Sequence, residues 1–197
     1  MGRKKEHDDS TRAALLAAAE DLIQNHGANA ASVRAVADAV GTTTRAVYSV
    51  FGSKDGMLEA LATRLFEMLS EAIDACPSTD DPVADIVTIS LDGFRRTALE
   101  HPSLYGLVFL RVVPDLRLGP EFSAVASGAF GRLAAHIARL EGDGRLGQLS
   151  VGEAAAAVHA LTEGLASMEL RGRLDETTAE HMWRTSITAL VRGFALR

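Results

Sequence analysis

Three observations predict an all-α fold. All five prolines (Pro77, Pro82, Pro102, Pro114 and Pro120) fall between residues 77 and 120, so residues 1–76 and 121–197 are free of helix breakers and rich in alanine and leucine. Apolar residues recur at three- and four-residue spacing through both proline-free stretches. No segment reads as a strand with a partner strand beside it. With 197 residues, 47% of them apolar, the chain can bury a substantial core.

Four helices are expected before the first proline. "DDSTRAALLAAAEDLIQNHG" sets Leu15, Ala18, Ala19, Leu22 and Ile23 on one face, with Gly27 as a left-handed stop. "SVRAVADAVG" starts at Ser32, a good N-cap, and ends at Gly41. A third helix runs from about Thr43 to Phe51, closed by Gly52. The fourth opens with Ser53 as N-cap and carries Leu58, Leu61, Leu65, Leu69 and Ile73 along one side. "CPSTDDP" then reads as a boundary, combining two prolines with short polar turn formers.

Beyond it, Pro82 suits the first turn of a helix over about 83–100. Its middle, "IVTISLD", also alternates like a strand, but Val83, Val87, Leu91 and Phe94 fit a helix and no strand partner exists. Pro102 opens a helix through "SLYGLVFLRVV" that Pro114 closes. Two long helices, about 120–141 and 151–171, precede a last one over about 177–195. Nine helices result.

Charge alone points nowhere. The net charge is −6, and residues 1–60 hold seven Lys and Arg against eight Asp and Glu. The single cysteine, Cys76, cannot form an internal disulfide, and no zinc-type cysteine pairing exists. No run of eighteen apolar residues and no signal-peptide core appears, so a soluble cytoplasmic protein is expected.

The two short helices joined at Gly41 form a helix-turn-helix, with "TTTRAVYSVF" as the reading helix. A helix N-terminus offers free N–H groups and partial positive charge to a phosphate, and threonine hydroxyls can cap it or bond to phosphate. Arg45 can donate two bonds to guanine, and Tyr48, three residues on, shares its side of the helix. Lys54 lies in the first turn of the next helix, where a cation opposes the dipole unless an anion is near.

These residues carry a family resemblance. Residues 10–62 resemble the DNA-binding domain of the TetR family of bacterial transcriptional regulators, through "LLAAAEDLIQNHG", "SVRAVADAVG", the tyrosine of "TTTRAVYSVF" and the F-x-S-K-x-x-x-L joint at 51–58. The resemblance implies that Arg34, Thr44, Arg45 and Ser49 face bases, and that Thr42, Thr43, Tyr48 and Lys54 lie near phosphates. Ser49 departs from the histidine or tryptophan often found after that tyrosine. It further implies a homodimer on a palindromic operator in double-stranded DNA, acting as a repressor rather than an activator. Residues 1–9 form either a flexible arm, whose Arg3, Lys4 and Lys5 add backbone or minor-groove contacts, or a solubilising tail.

Residues 63–197 would then form a ligand-binding and dimerisation domain. Helices 151–171 and 177–195 carry Val158, Leu161, Leu165 and Met168, then Trp183, Ile187, Leu190 and Phe194, while Gly164 and alanines permit close helix approach. The resemblance implies a four-helix bundle with a second copy, built on Val158, Leu161, Leu165, Trp183, Ile187, Leu190 and Phe194; burial within one subunit is the competing reading. "HPSLYGLVFLRVVPDL" and "VHALTEGLASMELRG" resemble a C-terminal subclass named for a Trp-His-Gly motif, although here Ala160 follows His159 and no tryptophan precedes it. An unknown, largely apolar small-molecule effector would enter the middle helices, where Phe94, Tyr105, Phe109, Phe122 and Phe130 line a pocket or serve as plain core. His159 and Glu163, at i and i+4, could pair with each other or with a ligand atom.

No cofactor motif, metal-ligand spacing or catalytic constellation is present, and no membrane partner is implied. Two other classes remain: a helical enzyme, whose base or nucleophile the six histidines and Cys76 would have to supply, and a helical module that binds protein. Turnover sensitive to His159 or Glu163 would mark the first. DNA-independent capture of a protein, blocked by changes at residues 42–49, would mark the second.

Overall fold

The structure, a computed structural model, describes residues 2–142 and 144–195; the side chains of residues 2–9 and 176 lie outside the described set. Every regular element among the described residues is helical. The α-helices are α1 (Gly2–His26), α2 (Val33–Val40), α3 (Thr44–Phe51), α4 (Lys54–Ala75), α5 (Pro82–Thr88), α6 (Arg96–Glu100), α7 (Pro102–Val108), α8 (Pro120–Gly142), α9 (Val151–Leu170) and α10 (Glu176–Gly193). A π-helix over Ile89–Arg95 joins α5 to α6. Counting that continuous rod once, and setting aside the three-residue 3-10 turn Ala28–Ala30, gives nine helices among the described residues, as expected.

The chain divides into two compact units, Met1–Arg64 with Pro102–Ser123, and Leu65–His101 with Ala124–Arg197. In the first, α2 packs on α1 and α3 on α2, while α7 rests against α1. Its core is formed by Leu15, Leu16, Ala19, Val36, Val47, Met57, Leu58 and Leu61, joined by Leu104 and Tyr105. Arg12 stacks over the Phe51 ring at 5.8 Å, tying α1 to the end of α3. The Gly119 N–H donates to Glu59 Oε1 at 2.8 Å, pinning the irregular stretch before α8 to α4.

The helix expected to run to Pro114 stops at Val108 instead. Two β-branched residues and a proline follow, and the position before proline disfavours the helical conformation. Arg111 turns the chain back at φ 49°, and the Val112 N–H reaches the Gly106 carbonyl at 3.2 Å. α1 extends further back than the sequence implied, starting at Gly2, so part of the expected arm is helical backbone. Any contacts from Arg3, Lys4 and Lys5 lie outside the described residues.

The second unit is held by α10 against α9 and α5. Asp81 caps α5, accepting from the N–H groups of Val83 and Ala84 at 3.0 and 3.2 Å, with Pro82 in the first turn as expected. Within the rod, Thr88, Ser90 and Thr97 each donate to the carbonyl four residues back, a pattern that bends helices. Ser150 and Glu153 form a capping box at the start of α9.

Candidate nucleic-acid interface and ligand cavity

The helix-turn-helix is built by local chemistry. Ser32 Oγ accepts from the Ala35 N–H at 3.2 Å and starts α2. Gly41 ends it in the left-handed region (φ 70°, ψ 34°), which costs a residue with a Cβ about 1–2 kcal/mol. With the chain turned there, the Thr42 N–H bonds to the Ala37 carbonyl and the Gly41 N–H to that of Asp38, satisfying two of the last carbonyls of α2. One residue on, Thr43 Oγ1 accepts from the Ala46 N–H at 3.3 Å and starts α3.

α3 therefore has one inward residue, Val47, fully buried on α2. Thr43, Thr44, Arg45, Tyr48 and Ser49 are all exposed. Tyr48 stands 53% exposed, unusual for so large a ring and consistent with a face that meets a partner. Thr42 and Lys54 are half-buried at the two ends of the helix. Arg34 projects from α2, its guanidinium loosely opposite Asp38 at 3.8 Å with both side chains largely in solvent, so the pair is worth little and leaves Arg34 available. All eight residues expected at the DNA face thus lie on α2, on α3 or within three residues of α3.

Helix α4 opens just past α3. Ser53 Oγ caps it by accepting from the Gly56 N–H at 2.9 Å, which sets Lys54 as its first residue. Met57, Leu58 and Leu61 of α4 enter the core of the first unit.

The second unit contains a cavity of about 320 Å³. Its walls are Phe66, Leu69 and Ile73 of α4, Ile89, Ser90 and Phe94 of the π-helix, Ala126, Ser127, Ala129, Phe130 and Leu133 of α8, and Val158, His159 and Thr162 of α9. Phe94, Phe130 and His159 meet there: the imidazole makes T-shaped contacts with both rings, with centroids 5.9 and 6.2 Å away and interplanar angles of 80° and 87°. Burial lowers the His159 pKa, with Glu163 opposing, so the ring is neutral near pH 7. Glu163 does not line the cavity; its Oε2 stands 3.9 Å from His159 Nε2 on a half-exposed turn.

Three expected lining residues are elsewhere. Tyr105 and Phe109 pack ring on ring at 4.8 Å within the first unit, and Phe122 also belongs to that unit. The break of α7 at Val108 accompanies that assignment, and aromatic spacing alone does not reveal it. Phe66, absent from the expected set, supplies the ring on α4 instead; it sits three and seven residues before Leu69 and Ile73, the helical spacing that could have found it.

The residues expected at a subunit interface also need correcting. Val158, Trp183 and Ile187 have no exposed surface and Leu165 and Phe194 only 6%, because α9 and α10 bury these faces within the chain. Leu161 and Leu190 stay half-exposed. What the pair leaves in solvent is a different stripe: Ala156, Ala160, Gly164 and Met168 at four-residue spacing on α9, and Met182 and Ala189 on α10.

Cys76 donates its thiol to the Ala72 carbonyl at 3.2 Å, and burial pushes its pKa up, the reverse of what a nucleophile needs. Among the described residues no group of three His, Cys, Asp or Glu could hold a metal ion, and no helix is long and apolar enough to cross a membrane.

Comparison with known proteins gives the same picture. Residues 15–61 match the family profile "Bacterial regulatory proteins, tetR family", and residues 87–192 match "Tetracyclin repressor-like, C-terminal domain". An HTH-type transcriptional regulator of Mycobacterium tuberculosis is 28% identical over 156 residues, covering 74% of this chain and 64% of its own length, so the chain matches under two thirds of that relative. Among solved structures, a protein of unknown function from Rhodococcus sp. RHA1 superposes with a TM-score of 0.80 at 21% identity, covering 93% of this chain and 95% of that one. A TetR family transcriptional regulator, PfmR, from Thermus thermophilus gives 0.68 at 21% identity, covering 90% and 97%. At these identities the structural likeness establishes the fold alone.

Proposed function

The chain belongs to the TetR family of bacterial regulatory proteins, DNA-binding transcriptional regulators rather than enzymes, and from that premise we propose a homodimeric repressor that leaves a palindromic operator when a small ligand fills its cavity. The observation that carries the DNA half is the outer face of α3. Thr44, Arg45, Tyr48 and Ser49 are exposed together, while Val47 alone anchors the helix. Arg45 reads guanine, Thr44 and Ser49 approach bases beside it, and Arg34 reaches in from α2. Thr42, Thr43, Tyr48 and Lys54 hold phosphates at either end of α3.

Few cations suffice because two copies double them, and a two-fold dimer matches a palindrome by symmetry. The exposed stripe of Ala156, Ala160, Gly164 and Met168, with Met182 and Ala189 beside it, supports α9 and α10 as the dimer helices, since small residues let helices approach closely. Leu161 and Leu190 flank that stripe. The ligand half rests on the cavity, whose wall includes three residues of α4.

The test is selection of randomised duplexes on the purified full chain, with Arg45→Ala in parallel. Enrichment of a palindrome that the variant loses or broadens is the expected result. No enrichment at low salt would overturn the DNA-reading assignment.

A further inference from the structure

Two of the cavity's polar groups are buried hydroxyls already committed as donors, while Ser127 lies on the exposed side of the wall. The Ser90 hydroxyl, 1% exposed, donates to the Ile86 carbonyl at 2.8 Å, and the Thr162 hydroxyl, 3% exposed, donates to the His159 carbonyl at 2.8 Å. Each hydroxyl has a single hydrogen, already given to its own helix, so towards a ligand it can only accept. His159 is neutral near pH 7, and a neutral imidazole carries one N–H and one acceptor nitrogen. No lining residue bears a charged side chain.

Such a site sorts ligands by charge and by hydrogen. A carboxylate brings negative charge against the two committed hydroxyls of Ser90 and Thr162, and the wall offers it no lysine or arginine, only the neutral His159 N–H and the exposed Ser127 hydroxyl. An ammonium finds acceptors but no carboxylate on the wall. A hydroxyl fits: it donates to Ser90 or Thr162 and can accept from the imidazole. Size narrows the class, since an apolar cavity of about 150 Å³ takes benzene and this one has roughly twice that volume.

Resting on the ligand-controlled reading above, we propose that the cavity binds an uncharged, two-ring-sized apolar molecule bearing a hydroxyl, whose O–H donates to the buried Ser90 or Thr162 oxygen. The discriminating feature is the missing positive charge: the wall selects the phenol or alcohol over the acid of the same skeleton.

Calorimetric titration of the full chain with 2-naphthol, naphthalene and 2-naphthoate tests this. The expected result is 2-naphthol binding about tenfold more tightly than either of the others. Ser90→Ala with Thr162→Val should bring naphthol down to the level of naphthalene without weakening naphthalene itself. If that double variant fails to fold, the three-ligand comparison on the unaltered chain decides alone. Ala126→Trp, which fills the cavity, should abolish naphthol binding and so place it there. Naphthoate or naphthalene binding as tightly as naphthol overturns the proposed class, while operator release by either would leave ligand control standing. Absence of binding by all three overturns the proposal as well. Failure of the regulator reading shows separately, as a lack of any enriched duplex in the selection.

Discussion

Arg95 and Glu169 are joined by two parallel hydrogen bonds, Nε to Oε2 at 3.0 Å and a terminal guanidinium nitrogen to Oε1 at 2.7 Å. Trp183 Nε1 donates to the same carboxylate at 2.9 Å. One acid on α9 thereby receives a cation from the π-helix and an indole from α10, with the Arg95 and Glu169 side chains only 19% and 8% exposed. Removing one partner of a buried pair strands the other, so Glu169→Ala should cost about 3–5 kcal/mol in urea unfolding at fixed protein concentration. The double change Arg95→Met, Glu169→Leu should recover only part of that loss, because the Trp183 N–H stays buried without its acceptor. A Glu169→Ala cost below about 1 kcal/mol would mean that the pair is not buried as described.

Gly56 occupies the first turn of α4, where a Cβ would run into the carbonyl oxygen of Phe51, the last residue of α3. That oxygen is backbone and cannot swing aside like a flexible side chain. Gly56→Ala should therefore displace α3 from α4, lowering melting temperature and duplex affinity together. Gly93→Ala is the contrast: its Cβ would meet Ile73 and Ala72 at an ordinary 3.8–4.0 Å, so stability should hold or rise by up to about 1 kcal/mol. Equal tolerance at both positions would contradict the geometry of the α3–α4 joint.

Acid should weaken the fold in two stages. Burial lowers the pKa of His159, against Glu163; burial and then Arg139 lower that of His136, against Asp85 and Asp74. His136 Nδ1 is buried with no partner among the described residues. With both values below the ordinary 6.5, the unfolded chain takes up protons first as the pH falls. Their contribution is complete above 6.5 and is lost as the pH drops through the folded values. Asp85 acts lower on the scale. Burial pushes its carboxyl up, but the Thr79 hydroxyl, Arg139 and the Thr79 N–H outweigh that and bring it below 3.8. Its contribution is intact above 3.8 and disappears as the pH falls through the folded value. Urea midpoints against pH should descend in these two windows. His136→Gln with His159→Gln should flatten the first, and Asp85→Asn should reduce the second. A wild-type midpoint that stays constant from pH 7.5 down to about 5 would contradict the histidine assignments.

What could be read from the sequence was local. Ser32, Ser53, Gly41 and Pro82 announced their roles because a cap or a left-handed turn involves residues within a few positions of one another. The face of α3 was legible for the same reason, since Val47 is its single buried residue. What failed needed knowledge of the neighbour. Trp183 and Ile187 form an apolar stripe whether α5 and α9 or a second copy covers it, and periodicity does not say which. The stripe at Ala156, Ala160 and Gly164, free of large side chains, was the better sign of an exposed helix face. Tyr105 and Phe109 looked like Phe94 in spacing, yet α7 breaks after Val108 and neither ring lines the cavity. The π-helix was hidden too, because Ile89–Arg95 has apolar spacing that suits several windings.

Arg45 and Lys54 should differ in kind, not only in degree. Arg45 stands exposed in the first turn of α3, where its planar guanidinium can bond twice to one guanine. Arg45→Ala should cost about 1–3 kcal/mol on the selected duplex and relax preference at one position of each half-site. Lys54 is the first residue of α4, where the local dipole disfavours a cation unless an anion compensates. A phosphate is that anion, so Lys54→Ala should weaken every duplex alike and reduce the salt dependence by about one counterion per subunit. Affinities for the selected duplex and a scrambled one, each titrated at several salt concentrations, separate the two effects. Loss of base preference in Lys54→Ala, or an unchanged preference in Arg45→Ala, would reverse the assignment and move the reading surface off α3.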